Sequence, residues 1–416
     1  MNALERRVHG WVTDHPAVRI ALVAAYQRVC SLAPRRDFVV EGAMRVQAGC
    51  FFGFHDRCPW SADDAVLAAH RFDPSLPMAE AEARPVEIVV LSADGGGEPV
   101  PVARTAAWNW QQGASLQWVG ESRRLLLNDL SAGRPVARLI ELDGQAVATW
   151  PHHVACVSHD GRLGLSYCFE RLGRGLRGYG YRDMVPTGTQ PEGLSAVDLR
   201  TGDARLLVSL DELAGLEAEA SMEGAHHFVS HCLFAPGDGR FLFLHRWVLR
   251  SGAVATRMYT CGSEGDRLFR VPGTRFSHVA WRNAEEIVAY GRPPGRPIGF
   301  YLLGDLGDTA QPIAPECLTS DGHPQCTADG RGLLTDTYPD RARDQRLKLH
   351  DFTTASTTTL ARLRIPFAYR YERRCDFHPR WSRDGGRICV DSAHNGVRSL
   401  YVLQPKTLAA DDGAAS

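Results

Sequence analysis

Short apolar runs recur along the second half of the chain, and each follows a polar turn. Asp238-Gly239, Asp329-Gly330 and Asp384-Gly385 each precede a run rich in apolar residues. An Asp-Gly pair supplies the positive φ that a tight hairpin turn requires. Because the runs are short and separated by turns, they predict β-strands joined as hairpins.

A histidine is built into the same repeat. It stands three residues before an aromatic or cysteine position that opens a predicted strand, at His231, His278, His323 and His378. The steps from 231 to 278, 278 to 323 and 323 to 378 are 47, 45 and 55 residues. This period is typical of a four-stranded propeller blade.

Weaker copies of the unit lie earlier in the chain, at 59–69, 116–128 and 157–168. Together they make seven units between about residue 40 and residue 405, so the sequence predicts an all-β fold, a seven-bladed β-propeller. We expect residues 1–38 to form an N-terminal helical extension, 39–405 the propeller and 406–416 a disordered tail.

Composition agrees with a turn-dense globular protein. The 416 residues include 40 glycines and 24 prolines, and 44% of the residues are hydrophobic. The net charge of −1 gives no general attraction to nucleic acid. Eleven cysteines without a framework spacing favour reduced thiols, and the N-terminus has no export signal pattern, so we expect a cytoplasmic protein.

The segment 16–33 is apolar but carries Arg19 and Arg28, which makes it a poor transmembrane span. We predict an amphipathic helix that packs on the propeller. A peripheral membrane contact through the same helix is the alternative interpretation.

Equivalent positions of successive blades are related by rotation about one axis, so histidines at one phase converge on the channel. Three or four imidazoles there would hold a divalent metal, with Mn, Zn and Fe all compatible. We predict ligands at His231, His278, His323 and His378, with Gln325 as an additional oxygen donor. The alternative is a set of core histidines, each satisfied by a neighbour.

Arginine forms a second chemical cluster. The stretch 170–183 is rich in glycine and predicts a mobile loop that wraps an anionic ligand, unless it is only a solvated surface loop. The predicted substrate contacts are Arg171, Arg174, Arg177, Tyr179 and, at the channel, His55. Arg246 directly follows an apolar strand, where a charge needs a partner or a ligand.

The blade motifs resemble a known family. The runs 321–330, 335–339 and 374–382 are similar to blades of oligogalacturonate-lyase-like propellers. The runs 109–113 and 230–247 resemble the ulvan-lyase-like propellers of the same broad group. The resemblance implies a seven-bladed propeller that cleaves acidic oligo- or polysaccharide by β-elimination at uronic acids, with a bound divalent metal.

For that reaction a base removes the proton next to the uronate carboxylate, and a cation neutralises the carboxylate. We predict Arg246 for neutralisation and His153 or Tyr181 as the base. An alternative function is a cytoplasmic carbohydrate-binding or sugar-modifying component of cell-surface polysaccharide assembly without lyase activity. A non-catalytic scaffold and a four-histidine iron oxygenase are further alternatives.

Overall fold

The computed structural model describes residues 16–94, 97–184 and 192–406. Within these residues the strands form seven antiparallel sheets, six of four strands and one of five. Each sheet is one blade, so the predicted seven-bladed propeller is confirmed. Consecutive strands of a blade are neighbours, as expected for hairpins joined by short turns.

The first five blades follow the chain order without exchange of strands. Blade one contains β3 (Cys50–Phe51), β4 (Val66–Arg71), β5 (Val86–Ser92) and β6 (Val100–Thr105). Blade two contains β7 (Gln117–Trp118), β8 (Leu125–Ser131), β9 (Arg134–Ile140) and β10 (Ala146–Trp150). Blade three contains β11 (Cys156–Val157), β12 (Leu163–Tyr167), β13 (Gly193–Asp198) and β14 (Ala204–Ser209). Blade four contains β15 (His227–Phe234), β16 (Arg240–Val248), β17 (Val254–Gly262) and β18 (Phe269–Arg270). Blade five contains β19 (Val279–Trp281), β20 (Glu286–Gly291), β21 (Gly299–Gly304) and β22 (Ala310–Pro312).

The last two blades include strands from the N-terminal segment. Blade six joins β1 (Phe38–Val39) to β23 (Gln325–Cys326), β24 (Gly332–Asp336), β25 (Asp344–Asp351) and β26 (Ser356–Arg364). Blade seven joins β2 (Gly42–Ala48) to β27 (Arg380–Trp381), β28 (Ile388–Ser392) and β29 (Ser399–Pro405). The pairing of β2 with β29 runs from Gly42 opposite Pro405 to Ala48 opposite Ser399. The ring is therefore closed by hydrogen bonds between the two ends of the propeller.

Short helices lie between or beside the strands. They are α1 (Pro16–Cys30), α2 (Met78–Ala81), α3 (Phe169–Gly175) and α4 (Leu210–Gly215), with 3₁₀ turns at Ala220–Met222 and Tyr371–Arg373. None of the helices in the described ranges is long and apolar enough to span a membrane. The expected tail from residue 407 onward and the residues before Pro16 lie outside the described ranges.

The expected N-terminal helix is present as α1, and several of its described apolar side chains are exposed. Tyr26 and Val29 are 54% and 67% exposed, and Leu32 just beyond the helix is 83% exposed. Contact is made at the C-terminal end, where Arg28 lies over the Phe367 ring at 4.9 Å.

Candidate metal and substrate site

Five histidines converge on the ring of Phe54, which follows β3. They come from blades one, four, five, six and seven, and their ring centroids lie 4.6, 4.9, 6.1, 5.7 and 5.0 Å from that of Phe54, in the order His55, His231, His278, His323 and His378. The most exposed of them, His278, is 6% accessible. The repeat therefore places a buried imidazole cluster at the propeller axis.

Three of these imidazoles pack directly on one another. The ring centroids of His278 and His323 are 4.2 Å apart, and those of His323 and His378 are 4.3 Å apart. His55 lies beside them, with its ring 5.3 Å from that of His323. We call His278, His323 and His378 the imidazole trio.

Acceptors behind the rings define which nitrogen carries the proton. His323 Nδ1 lies 2.8 Å from Asp336 Oδ1, and His278 Nδ1 lies 2.9 Å from Asp321 Oδ1. His55 Nδ1 is 2.7 Å from the Pro324 carbonyl oxygen. Because carboxylate and carbonyl oxygens accept, Nδ1 of each ring donates and the Nε2 lone pair remains for a ligand.

Two members of the trio, together with Asp376, have the donor set of a transition-metal site. One ligating atom each from His323, Asp376 and His378 lie within 4.8 Å of one another. Neither His378 ring nitrogen nor His323 Nε2 has a hydrogen-bond partner among the described residues. Burial, followed by neighbouring positive charge, lowers the pKa of both imidazoles well below the usual value, so both rings are neutral near pH 7. Neutral imidazoles with unused lone pairs fit Mn, Zn or Fe.

Two of the histidines have unusual backbone conformations. His231 has φ of 55° and His378 has φ of 43°, in the left-handed region that non-glycine residues avoid. His231 does not precede its strand as we predicted, because β15 begins at His227 and shifts register between Ser230 and Leu233. Strained backbone of this kind clusters at functional sites.

A buried arginine lies next to His231. Arg246 on β16 is 8% exposed, and its Nη2 donates to the Ser277 carbonyl oxygen at 3.3 Å. Within the described ranges no carboxylate lies within ion-pair distance of it, and its Nε has no partner. Burial is the main cause that lowers the pKa of His231, and the Arg246 charge adds to it. A buried guanidinium without an acid at ion-pair distance can bind an anion.

Two tyrosines and a second arginine cover the imidazoles. The Tyr179 ring lies 5.9 Å from that of His231, and the Tyr338 ring lies 5.5 Å from that of His323. Arg374 Nη2 donates to the Tyr179 hydroxyl at 3.1 Å, while its Nε donates to Asp376 at 2.6 Å. These contacts join the stretch after α3 to the loop before β27.

The glycine-rich stretch is not the open loop that we predicted. Its first part forms α3, and its glycines allow close packing: a Cβ on Gly175 would lie 2.2 Å from the Phe228 ring. Arg171 donates to the His227 carbonyl oxygen, Arg174 pairs with Glu170, and Arg177 is exposed. The structure thus brings Tyr179 to the imidazole cluster and holds Arg171 and Arg174 in local contacts.

His153 and Tyr181 form a separate polar cluster. Their rings meet edge to face at 4.9 Å, and the Tyr181 hydroxyl lies 3.0 Å from Asn128 Nδ2 and 3.2 Å from Ser115 Oγ. Burial raises the pKa of Tyr181 to about 12 and lowers that of His153 to about 4. The ring contacts of this pair within the described residues are with each other and with Phe169.

Gln325 has its side-chain oxygen engaged elsewhere. The Trp381 backbone N–H donates to Gln325 Oε1. The residue lines a cavity together with Trp118, Trp281 and Trp381, at the ends of innermost strands. We therefore leave Gln325 out of the ligand set that we propose below.

Several residues of the site were not singled out from the sequence. Asp336 ends β24, the strand that pairs with β23 after His323. Asp376 and Arg374 lie just before His378 and β27. The pairing of His323 with Asp336 across the β23–β24 hairpin is the signal that could have identified the carboxylate. The central place of Phe54 has no sequence signal apart from its neighbour His55.

Known structures share the fold. An oligogalacturonate lyase in complex with manganese is 15% identical in sequence to this chain, with a TM-score of 0.61. The aligned part covers 91% of this chain and 100% of the lyase chain. An oligogalacturonate lyase from Vibrio parahaemolyticus is 12% identical, covers 90% and 100%, and has a TM-score of 0.59. The resemblance expected from the blade motifs is confirmed for the fold. No protein-family model and no curated protein matches the sequence.

Proposed function

We propose that this protein is a metal-dependent lyase that cleaves uronic-acid-containing oligosaccharides by β-elimination. The observation that carries the proposal is Arg246, a buried guanidinium without a carboxylate at ion-pair distance in the described residues, close to a cluster of buried imidazoles. This arrangement provides a carboxylate site and proton acceptors in one buried place. The fold likeness to oligogalacturonate lyases supports the substrate class.

The imidazole trio would hold the metal. Asp336 and Asp321 orient two of the rings, and Asp376 offers an oxygen ligand beside His378. A divalent cation bound there would supply positive charge that stabilises the developing enolate of the substrate carboxylate. The neighbour named as a manganese complex supports a divalent metal.

Arg246 would bind the uronate carboxylate and favour loss of the proton on the adjacent carbon. We assign His231, which we predicted as a metal ligand, as the base instead. Its Nδ1 has no partner in the described residues, and burial, followed by the Arg246 charge, lowers its pKa and so keeps the ring unprotonated near neutral pH. The electron pair of the broken C–H bond forms the double bond as the glycosidic C–O bond breaks. Tyr179 accepts from Arg374, which leaves its O–H free to donate to the leaving oxygen.

His153 and Tyr181 were the bases that we predicted from the sequence. The Tyr181 hydroxyl is held by Asn128 and Ser115, and its pKa of about 12 makes the phenolate costly near neutral pH. His153 Nδ1 has no partner in the described residues, so it stays a second candidate base. Arg177 and Tyr179 remain proposed substrate contacts, together with His55.

The burial of the cluster favours a second candidate function, carbohydrate binding without turnover. Tyr179, Tyr338 and Arg374 cover the imidazoles, and a substrate must displace these contacts to reach Arg246. A protein that binds an acidic sugar next to these three residues, without reaching Arg246, needs no such displacement.

The test is incubation of the manganese-loaded protein with oligogalacturonates and other uronic-acid oligosaccharides. We expect an unsaturated product that absorbs in the ultraviolet. His231→Gln should lose turnover and keep the metal, whereas His159→Gln, at an exposed position that is 56% accessible, should retain both. Oligosaccharide binding without product would support the second candidate. If the protein neither binds these oligosaccharides nor forms the product, both candidate functions are contradicted.

A further inference from the structure

Exposed apolar side chains are concentrated in one short part of the chain. Of the 14 large hydrophobic residues that are exposed in the described ranges, seven lie between residues 22 and 46: Leu22, Tyr26, Val29, Leu32, Phe38, Met44 and Val46. Single exposed apolar residues are ordinary, but a concentration of this kind in one short segment is a candidate for an interaction surface.

Helix α1 and the residues that follow it, up to Arg36, are basic. Residues 16–36 contain Arg19, Arg28, Arg35 and Arg36 and no aspartate or glutamate. Arg28 and Arg370 both lie over the Phe367 ring, at 4.9 and 4.3 Å. Positive charge therefore continues from the N-terminal segment onto the loop that follows blade six.

A cavity lined by arginine lies where this segment meets blade six. Its volume is about 430 Å³, and Cys30, Ala33 and Pro34 form one wall. Five arginines line it: Arg36, Arg341, Arg346, Arg362 and Arg364. Asp340 is the carboxylate of the lining, and it pairs with Arg346 at 3.0 Å.

Part of the positive charge at this cavity is uncompensated. Asp344 pairs with both Arg362 and Arg364. Arg36 and Arg341 are exposed, and within the described ranges neither has a carboxylate at ion-pair distance. Guanidinium groups that line one cavity can bind the oxygens of a phosphate.

The cavity and the apolar segment form one rigid unit. Arg364 Nη1 donates to the carbonyl oxygens of Ser31 and Ala33 at 3.1 and 2.5 Å. The Arg364 backbone N–H donates to Asp37 at 3.0 Å. The chain between α1 and β1 is thereby fixed to blade six, with Leu32 exposed beside the cavity.

We propose that α1, the segment 31–36 and the arginine cavity form a surface that binds an anionic phospholipid bilayer. Lipid phosphates would lie against Arg36 and Arg341, while Val29 and Leu32 enter the region between headgroups and acyl chains. A second copy of the chain is a poor occupant, because its matching surface carries the same positive charge.

The test is sedimentation of the full-length protein with vesicles of phosphatidylcholine, with and without phosphatidylglycerol. We expect binding to the anionic vesicles that weakens with salt. Each arginine near an anionic surface contributes about fivefold to partitioning. The double variant Arg36→Gln, Arg341→Gln should therefore bind about 25-fold more weakly. The matched variant Arg292→Gln, Arg296→Gln changes two exposed arginines of blade five and should bind as wild type.

The apolar contribution is tested with one further pair. Leu32→Ser should weaken binding, whereas Leu206→Ser, at a position that is 51% exposed on blade three, should not. Equal binding to both vesicle types, no binding to either, or equal loss in the control variants would overturn the proposal. The proposal would also be overturned if the wild-type protein bound no vesicles and the Arg36→Gln, Arg341→Gln variant changed its oligomeric state. That result would assign the surface to self-association.

Discussion

Asp336 accepts hydrogen bonds from Nδ1 of His323 through both carboxylate oxygens, at 2.8 and 3.0 Å. It also accepts from the backbone N–H of His378 at 3.1 Å. One carboxylate therefore positions two members of the imidazole trio, one through its ring and one through its backbone. Burial raises the pKa of Asp336 to about 6, and hydrogen bonds from the backbone N–H groups of His323 and His378 act against that rise.

Replacement of this carboxylate should weaken metal binding without removing a ligand. An amide at position 336 accepts more weakly from His323 Nδ1, so the ring is less basic and less well oriented. We expect Asp336→Asn to lower manganese affinity by about 10-fold to 100-fold in a titration. Asp305→Asn disrupts a buried ion pair with Arg240 in blades four and five, and its manganese affinity should equal that of wild type. Equal affinities in all three proteins would remove Asp336 from the site.

The proposed carboxylate site is tested at Arg246. Arg246→Met keeps much of the side-chain volume but removes the charge that would neutralise the uronate. We expect kcat/KM for oligogalacturonate to fall by about 10²-fold to 10³-fold, with manganese content unchanged. A variant that retains wild-type kcat/KM would show that the carboxylate binds elsewhere.

The glycines near α3 are expected to serve packing. A methyl group at position 175 would lie 2.2 Å from the Phe228 ring, whereas nothing lies within 4 Å of the same position at Gly215. We expect Gly175→Ala to lower the free energy of unfolding by about 1–3 kcal/mol. Gly215→Ala should stay within about 0.5 kcal/mol of wild type in the same urea titration. Equal stabilities would restore the interpretation of this stretch as a loose loop.

The stability of the protein should fall in mild acid. The fully buried His70 accepts from the Ala114 backbone N–H at 2.9 Å, and burial lowers its pKa to about 4. Between about pH 6.5 and pH 4 the unfolded chain binds a proton at this residue and the folded chain does not. Each such residue therefore lowers the free energy of unfolding by about 1.4 kcal/mol for each pH unit that the pH falls within this range.

His70→Phe should reduce this pH dependence by about that amount in denaturant titrations. His153→Phe should do the same, because the pKa of His153 is also lowered to about 4 by burial. Unchanged slopes in both variants would mean that these rings are protonated in the folded protein.

The blade repeat was predictable because it is local. Asp-Gly turns fix hairpins within a few residues, and Asp238, Gly330 and Gly385 do have positive φ. The histidine has a constant position in the repeat. This predicted that His278, His323 and His378 lie together, since equivalent blade positions meet at the axis. Closure of blade seven by β2 was not foreseen, because that pairing joins residues about 350 positions apart and leaves no local pattern.

The chemistry within the cluster depends on contacts between blades. His231 shares the phase of the trio, but the register shift in β15 turns its ring toward Tyr179 and Arg246. The glycine-rich stretch looked flexible because sequence does not distinguish glycine that bends a loop from glycine that admits a close neighbour such as Phe228. Arg246 was identified because a charge next to a run of apolar residues needs a partner, although the structure places it within β16 rather than after a strand.

The most direct test is the metal content of purified protein after manganese loading and removal of unbound metal. Wild type, His278→Ala and His159→Ala are compared by elemental analysis, with His159 as the exposed control. We predict one divalent cation per chain in wild type and in His159→Ala, and none in His278→Ala. Wild type without bound metal, or His278→Ala with the wild-type content, would contradict a metal site at the imidazole trio.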